Sequence, residues 1–110
     1  DQRIVFIMSS DLAHTHQRDG PYGYSPTAEP FDKSVREWAL NPLHNAKSLL
    51  DKAATLERTA LSCGFPTLVI AHGILSTNFS QWNSELLAIH HPTYYGMMVT
   101  IFQIKKTNFQ

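Results

Sequence analysis

The sequence predicts an α/β fold in which a mixed sheet is covered by helices. Three observations support this prediction: an uninterrupted apolar run over residues 4–8, a helical pattern from about residue 28, and a second apolar run over residues 96–104. Short apolar runs of this kind are typical of strands buried on both faces of a sheet. A strand in that position needs neighbours on each side and layers above and below it, so helices are expected to cover the sheet.

The first strand is predicted at Ile4-Val5-Phe6-Ile7-Met8, almost directly after the first residue, Asp1. A doubly buried strand at the very start of a sequence indicates an incomplete domain. We therefore expect residues 1–110 to form a single partial domain. An amino-terminal portion or a partner subunit would complete it, and we expect an oligomer.

Composition and charge narrow the range of partners. The formal net charge is zero and the lysines and arginines are dispersed, which argues against nucleic acid and against an anionic membrane surface. The apolar runs are much shorter than the roughly 18 residues of a membrane span. The single cysteine, Cys63, cannot form an internal disulfide, which suits the reducing cytoplasm.

The first helix is predicted from about Ala28. Its buried face is marked by Phe31, Val35 and Trp38, which recur at the i, i+4, i+7 spacing of one helix face. The Asn41-Pro42 pair is expected to end it, because the residue before a proline disfavours helical geometry.

Two further helical segments and two strands are predicted downstream. A second helix over about 43–54 should bury three residues: Leu49, Leu50 and Ala53. A third helix should begin after Thr55 as its cap, end at Gly64, and place three residues on one face: Leu56, Ala60 and Cys63. The run 67–75 fits either a strand or a buried helix. Strands are expected at 86–90 and at 96–104, the latter apolar on both faces, with Pro92 in the turn between them.

The most informative stretch follows the first predicted strand. Small hydroxyl groups, the carboxylate of Asp11 and the imidazoles of His14 and His16 precede a Gly-Pro turn there. Open α/β sheets usually place their chemistry in such loops, at the carboxyl ends of strands. The alternative is that these side chains only satisfy loop backbone groups.

This stretch also resembles a known family. Ser9-Ser10-Asp11-Leu12-Ala13-His14-Thr15, followed by Asp19-Gly20-Pro21-Tyr22-Gly23-Tyr24, is similar to the Ser-Gly-Asp-Leu-Ser-His-Arg and Asp-Gly-Pro-Tyr-Gly-Tyr blocks of the class III extradiol ring-cleavage dioxygenases of the LigB superfamily. Ser10 replaces the usual glycine and Ala13 the usual serine. The resemblance covers about residues 4–104 and corresponds to the carboxyl-terminal portion of the family's domain. The family's two iron-binding histidines lie in the earlier portion.

The resemblance implies a LigB-like fold and a non-haem Fe(II) enzyme that cleaves a catechol-type ring with O₂. It assigns His14 the role of acid/base beside the iron-bound substrate. The expected substrate-binding residues are Asp11, Tyr22 and Tyr24. We expect Asp11 to orient that imidazole or to cap the loop, and the two tyrosines to shape the ring pocket. For the tyrosines, packing of a proline-rich loop is an equally good explanation.

A second block, Leu61-Ser62-Cys63-Gly64, is similar to the family's Glu-Cys-Gly or Glu-Gly-Gly sequence, in which the glutamate is the third iron ligand. Ser62 occupies the glutamate position, and a neutral hydroxyl poorly replaces the anionic oxygen of a ferrous triad. The Memo-like branch of the same superfamily presents a cysteine from this segment. Cys63 is therefore a candidate metal ligand that would favour zinc or copper alongside iron. The alternative is a small apolar residue on a buried helix face.

Two functional hypotheses follow. The first is an oxidoreductase of aromatic compound catabolism, namely part of an extradiol dioxygenase that uses Fe(II), O₂ and an aromatic substrate. The second is a non-catalytic protein, either Memo-like with zinc or no metal, or the inactive partner subunit of a two-subunit dioxygenase.

The remaining histidines give weaker signals. His72 lies in an apolar run and is expected in the core, whereas His44 should be exposed. His14 and His16 would converge only if their loop is extended. His90 and His91 are neighbours at a strand end and should point to opposite faces, so they cannot chelate one ion together.

Overall fold

A computed structural model describes residues 2–78 and 81–105 of the chain and confirms the α/β class. The helical elements come first along the chain: α1 (Ala28–Leu40), a π-helical segment (Ser48–Ala53), α2 (Ala54–Ala60) and α3 (Phe65–Ser76). Two antiparallel strands follow: β1 (Trp82–His90) and β2 (Met97–Ile104). The described sheet therefore has two strands rather than the mixed sheet expected from the sequence.

Helix α1 supplies the centre of the core. Phe31, Val35 and Trp38 have no exposed area, so the i, i+4, i+7 face was predicted correctly. The helix ends before Asn41, whose backbone N–H donates to the Trp38 carbonyl. Around this face pack buried residues from every helical segment and from the loop that precedes α1: Leu12, Ala13, Leu49, Ala53, Ala60, Leu68 and Leu75.

The two middle helices form one continuous helical stretch, so the predicted break at Thr55 is wrong. The Thr55 hydroxyl donates to the Asp51 carbonyl one turn earlier at 2.8 Å instead of capping a new helix. Leu49 and Ala53 are buried as predicted, whereas Leu50 is 42% exposed. The stretch ends at Leu61, which adopts a left-handed backbone conformation with φ of 57°.

The ambiguous run 67–75 forms helix α3, with Leu68, His72 and Leu75 buried. Both predicted strands are confirmed, although β1 begins earlier, at Trp82. The expectation that β2 is apolar on two buried faces is wrong. Its inner side chains, Met98 and Phe102, pack against the core, while its outer side chains are exposed.

The apolar run at 4–8 is not a strand in this structure, and it is not buried. Ile4, Val5, Phe6 and Ile7 are 69%, 80%, 66% and 84% exposed. Hydrophobic pattern gives a preference for a strand, but a strand also needs a neighbour to complete its hydrogen-bond ladder. Among the described residues the only two strands pair with each other, so the run has no ladder to join. None of the helices described is long and apolar enough to cross a membrane.

Candidate functional site

The polar side chains of interest are carried by residues 11–16, which we call the site segment. Its backbone N–H groups donate hydrogen bonds to two other parts of the chain. Leu12 and His16 donate to the carbonyls of Gly96 and Tyr94 at 2.8 and 3.0 Å, and His14 donates to that of Ala60 at 2.9 Å. The segment therefore lies between the end of α2 and the loop that joins the two strands, and its side chains have fixed origins.

The loop after α2 is tied to the first residue of this segment. The Asp11 carbonyl accepts hydrogen bonds from the Gly64 N–H at 2.9 Å and from the Ser62 hydroxyl at 3.0 Å. A Cβ on Gly64 would lie 2.5 Å from that carbonyl oxygen and 2.7 Å from Ser10 Oγ, so only glycine allows this approach. This contact brings Cys63 beside Asp11.

Asp11, His14 and Cys63 form the first group of potential metal ligands, which we call the Cys63 cluster. One donor atom from each lies within 4.8 Å of the others. His14 Nε2 and Asp11 Oδ2 are 3.2 Å apart, and the Asp11 backbone N–H donates to the Cys63 sulfur at 3.2 Å. The side chain of His14 is 14% exposed and that of Asp11 is 42% exposed, while Cys63 lies at the surface. The cluster therefore combines a thiol, an imidazole and a carboxylate at a solvent-accessible position.

Cys63 is not part of a buried helix face, so the apolar alternative for it is wrong. It follows the left-handed residue Leu61 that ends α2, and the reversal of the chain turns it away from the core. Ser62 is the buried residue here. Its hydroxyl donates to the Asp11 carbonyl and accepts from the Gly64 N–H at 3.1 Å. Ser62 therefore holds the loop closed and offers no oxygen to the cluster.

Two tyrosine rings flank His14. Tyr22 stacks on it with ring centroids 5.3 Å apart, and Tyr94 lies 6.0 Å from His14 and 6.1 Å from Tyr22. Tyr24 contacts the Arg18 guanidinium instead, at 5.3 Å from its ring centroid. Sequence reasoning missed Tyr94, because its position depends on how the strand connection folds back. A Cβ on Gly20 would lie 2.7 Å from Tyr94 Cβ. The glycine at position 20 was therefore the one sign in the sequence that another residue packs closely there.

A second group, which we call the His16 cluster, consists of His16, Glu29, Asp32 and His91. His16 Nε2 and Asp32 Oδ2 are 2.7 Å apart, and the His16 and His91 rings stack with centroids 4.0 Å apart. His91 Nε2 is 3.7 Å from Glu29 Oε2. His14 and His16 do not converge, because the site segment bends at both residues instead of running extended. The sequence did not predict this cluster, because its residues come from three parts of the chain that are distant in sequence.

Burial dominates the electrostatics of the His16 cluster. It raises the pKa of the Asp32 carboxyl, while hydrogen bonds from the Ala13 N–H and from His16 act in the opposite direction. The Ala13 bond measures 3.0 Å. Gly96 packs directly against the Asp32 carboxylate, where a Cβ would clash. The carboxylate is thus enclosed by the site segment, α1 and the strand connection.

The other histidines lie apart from both clusters. His72 is buried, and its Nδ1 accepts a hydrogen bond from Trp38 Nε1 at 3.0 Å, which confirms its place in the core. Burial lowers the pKa of His72. His44 and His90 are exposed.

Comparison with known proteins gives a sequence relative but no function. No protein-family model matches the chain. Protein CA_C1420 of Clostridium acetobutylicum is 51% identical over 103 residues, an alignment that covers 89% of this chain and 20% of that protein. The chain therefore spans about a fifth of the length of the curated relative that it matches.

Proposed function

We propose that this chain is part of a LigB-like domain and supplies a metal centre held by Asp11, His14 and Cys63. The observation that carries the proposal is the convergence of a thiol, an imidazole and a carboxylate within 4.8 Å. Two stretches of the chain, residues 11–14 and the loop after α2, contribute three chemically different donors to one accessible point, and the Asp11 backbone N–H donates to the sulfur.

The donor set fits a thiophilic ion better than the ferrous site of an extradiol dioxygenase. The ferrous triad needs two imidazoles and one carboxylate, whereas this cluster has one imidazole, and Ser62 is turned into the loop backbone. A thiolate with one imidazole and one carboxylate suits zinc, and it also accommodates copper or iron. These features favour the Memo-like alternative.

When bound, such an ion would act as a Lewis acid toward an oxygen of a bound ligand. The protein's own groups have separate tasks. Asp11 Oδ2 and His14 Nε2 lie 3.2 Å apart, a separation at which both atoms would bind one ion. The Tyr22 and Tyr94 rings provide an aromatic wall beside that imidazole, which suits a planar ligand.

A second candidate function is the dioxygenase itself, with His14 as acid/base rather than ligand. The pairing of His14 with Asp11 favours it, because an imidazole oriented by a carboxylate is the usual arrangement of a general base. A catechol-type substrate would lie against the tyrosine rings, and His14 would take a phenolic proton. The histidine ligands for iron would come from another part of a longer protein.

One experiment separates the two candidates. Protein purified anaerobically is analysed for metals, and O₂ uptake is measured on a panel of catechols, for wild type, Cys63→Ser, His14→Phe and the exposed control His90→Ala. If His14 is a ligand, Cys63→Ser and His14→Phe both lower the bound metal. If His14 is the acid/base, His14→Phe keeps its metal and loses O₂ uptake. Unchanged metal in both variants, with no O₂ uptake by wild type, contradicts both candidates.

A further inference from the structure

We propose a second metal site, in which His16, Glu29 and His91 bind a divalent transition-metal ion of the zinc class and Asp32 orients His16. One donor atom from each of the three ligands lies within 4.8 Å of the others. The site uses none of the residues of the Cys63 cluster, so it is independent of the function proposed above.

His16 is held in a fixed orientation. Its side chain is 3% exposed and its Nε2 lies 2.7 Å from Asp32 Oδ2. A carboxylate that accepts the Nε2–H bond leaves the lone pair of the neutral ring on Nδ1. Metal-binding histidines nearly always have such a carboxylate or carbonyl partner on the other nitrogen. Asp32 is itself held by the Ala13 N–H at 3.0 Å, so the pair is rigid.

The other two donors meet beside His16. His91 Nε2 and Glu29 Oε2 are 3.7 Å apart, so an imidazole and a carboxylate already lie next to each other there. Their side chains are 43% and 80% exposed, which gives both of them room to turn toward an ion. His91 must leave its stack on His16, because parallel rings do not direct their lone pairs at one point.

The fold brings the three ligands together from separate parts of the chain. His16 lies on the site segment, Glu29 in the first turn of α1 and His91 in the loop after β1. The His16 N–H donates to the Tyr94 carbonyl at 3.0 Å, which fixes the loop of His91 beside the segment. Three protein ligands leave a fourth position for water or substrate, as in zinc sites that perform chemistry.

The test uses the Cys63→Ser variant, which removes the thiolate of the first cluster. Zn²⁺ binding is measured by calorimetry and with a competing chelator, and Co²⁺ is used as a spectroscopic substitute. We expect Cys63→Ser to retain one equivalent of Zn²⁺, and its Co²⁺ complex to show ligand-field bands without thiolate charge-transfer absorption. Adding Glu29→Gln or His91→Ala should weaken that binding by at least about tenfold. Adding His90→Ala, the neighbouring exposed histidine, should leave it unchanged.

Two results would overturn the proposal. One is that Cys63→Ser binds no Zn²⁺. The other is that Glu29→Gln and His91→Ala bind it as tightly as their parent, which leaves the His16–His91 stack a purely structural contact. Glu29 is at the surface, so its variant tests the site without disturbing the core. Thiolate absorption reports only the Cys63 cluster, so failure of one site is distinguishable from failure of the other.

Discussion

At the residue scale, the bond between Trp38 and His72 makes the core sensitive to pH. Trp38 Nε1 donates to His72 Nδ1 at 3.0 Å, which requires that nitrogen to be unprotonated. Burial lowers the pKa of His72 from its ordinary 6.5. A lowered pKa in the folded state means that the stabilisation is present above pH 6.5 and is lost as the pH falls through the folded value.

We therefore expect wild type to lose stability on acidification relative to the variant His72→Asn. Asparagine places its side-chain oxygen where His72 has Nδ1, so it can accept the Trp38 bond, and it does not titrate. Urea unfolding at about pH 7.5 and about pH 5 measures the difference. An identical pH dependence in the two proteins would contradict the role of His72.

Ser62 has a structural role, which gives a second prediction. Ser62→Ala should reduce the free energy of unfolding by about 0.5–1.5 kcal/mol, since it removes the hydroxyl bond to the Asp11 carbonyl. Bound metal should stay unchanged, because the Gly64 N–H still holds that carbonyl at 2.9 Å. Denaturant unfolding and elemental analysis give the two readouts. Loss of metal without loss of stability would instead make Ser62 a ligand.

The sequence identified the candidates of the Cys63 cluster but not its geometry. Asp11, His14 and Cys63 were found from their position after an apolar run and from a resemblance, both local in sequence. Tyr94 and the His16 cluster were missed because they depend on the return of the strand connection to the site segment. No local periodicity encodes that contact.

At the scale of elements, a helix was predicted correctly where its apolar residues repeat with one clear period. A helix boundary was predicted wrongly where one residue suits both a helix cap and a helix interior. Helix α1 was predicted well because its buried face repeats regularly over 13 residues. Thr55 fits a cap and a helix interior equally, since its hydroxyl can bond either to a free N–H or to a carbonyl one turn back. The boundary between the two middle helices was therefore misplaced.

The contact between the site segment and the loop after α2 gives a third prediction. Gly64→Ala should weaken metal binding by the Cys63 cluster, because the new methyl group would push against the Asp11 carbonyl and Ser10. Zinc affinity, measured with a competing chelator, should fall by at least about tenfold. Gly73→Ala is the control, since a Cβ there has no neighbour within 4 Å. Equal affinities for the two variants would exclude this contact as a determinant of the site.

At the scale of the whole molecule, the main departure from expectation is the exposed apolar run at 4–8. Four of its side chains are each at least 66% exposed, and the outer side of β2 adds Val99 and Ile104 at 54% and 62%. Exposed apolar side chains in such number promote association in water. The prediction that this run is buried is therefore wrong, and none of the described residues covers it.

The 110-residue chain alone should therefore self-associate. Sedimentation velocity at increasing concentration should show oligomers for wild type, and the double variant Val5→Lys/Ile7→Lys should shift the distribution toward monomer with little change in thermal stability. Leu43→Lys, at an exposed leucine outside both the run and β2, is the control. If wild type remains a monomer throughout, the run does not drive association.

The most direct test of the central claim is anomalous diffraction at the zinc absorption edge from crystals of the protein grown with Zn²⁺. We expect a peak between Cys63, Asp11 and His14, at about 2.3 Å from the sulfur and about 2.0–2.2 Å from the nitrogen and oxygen. A peak at that position would establish the thiolate centre. Absence of a peak within bonding distance of Cys63 at saturating zinc would contradict it.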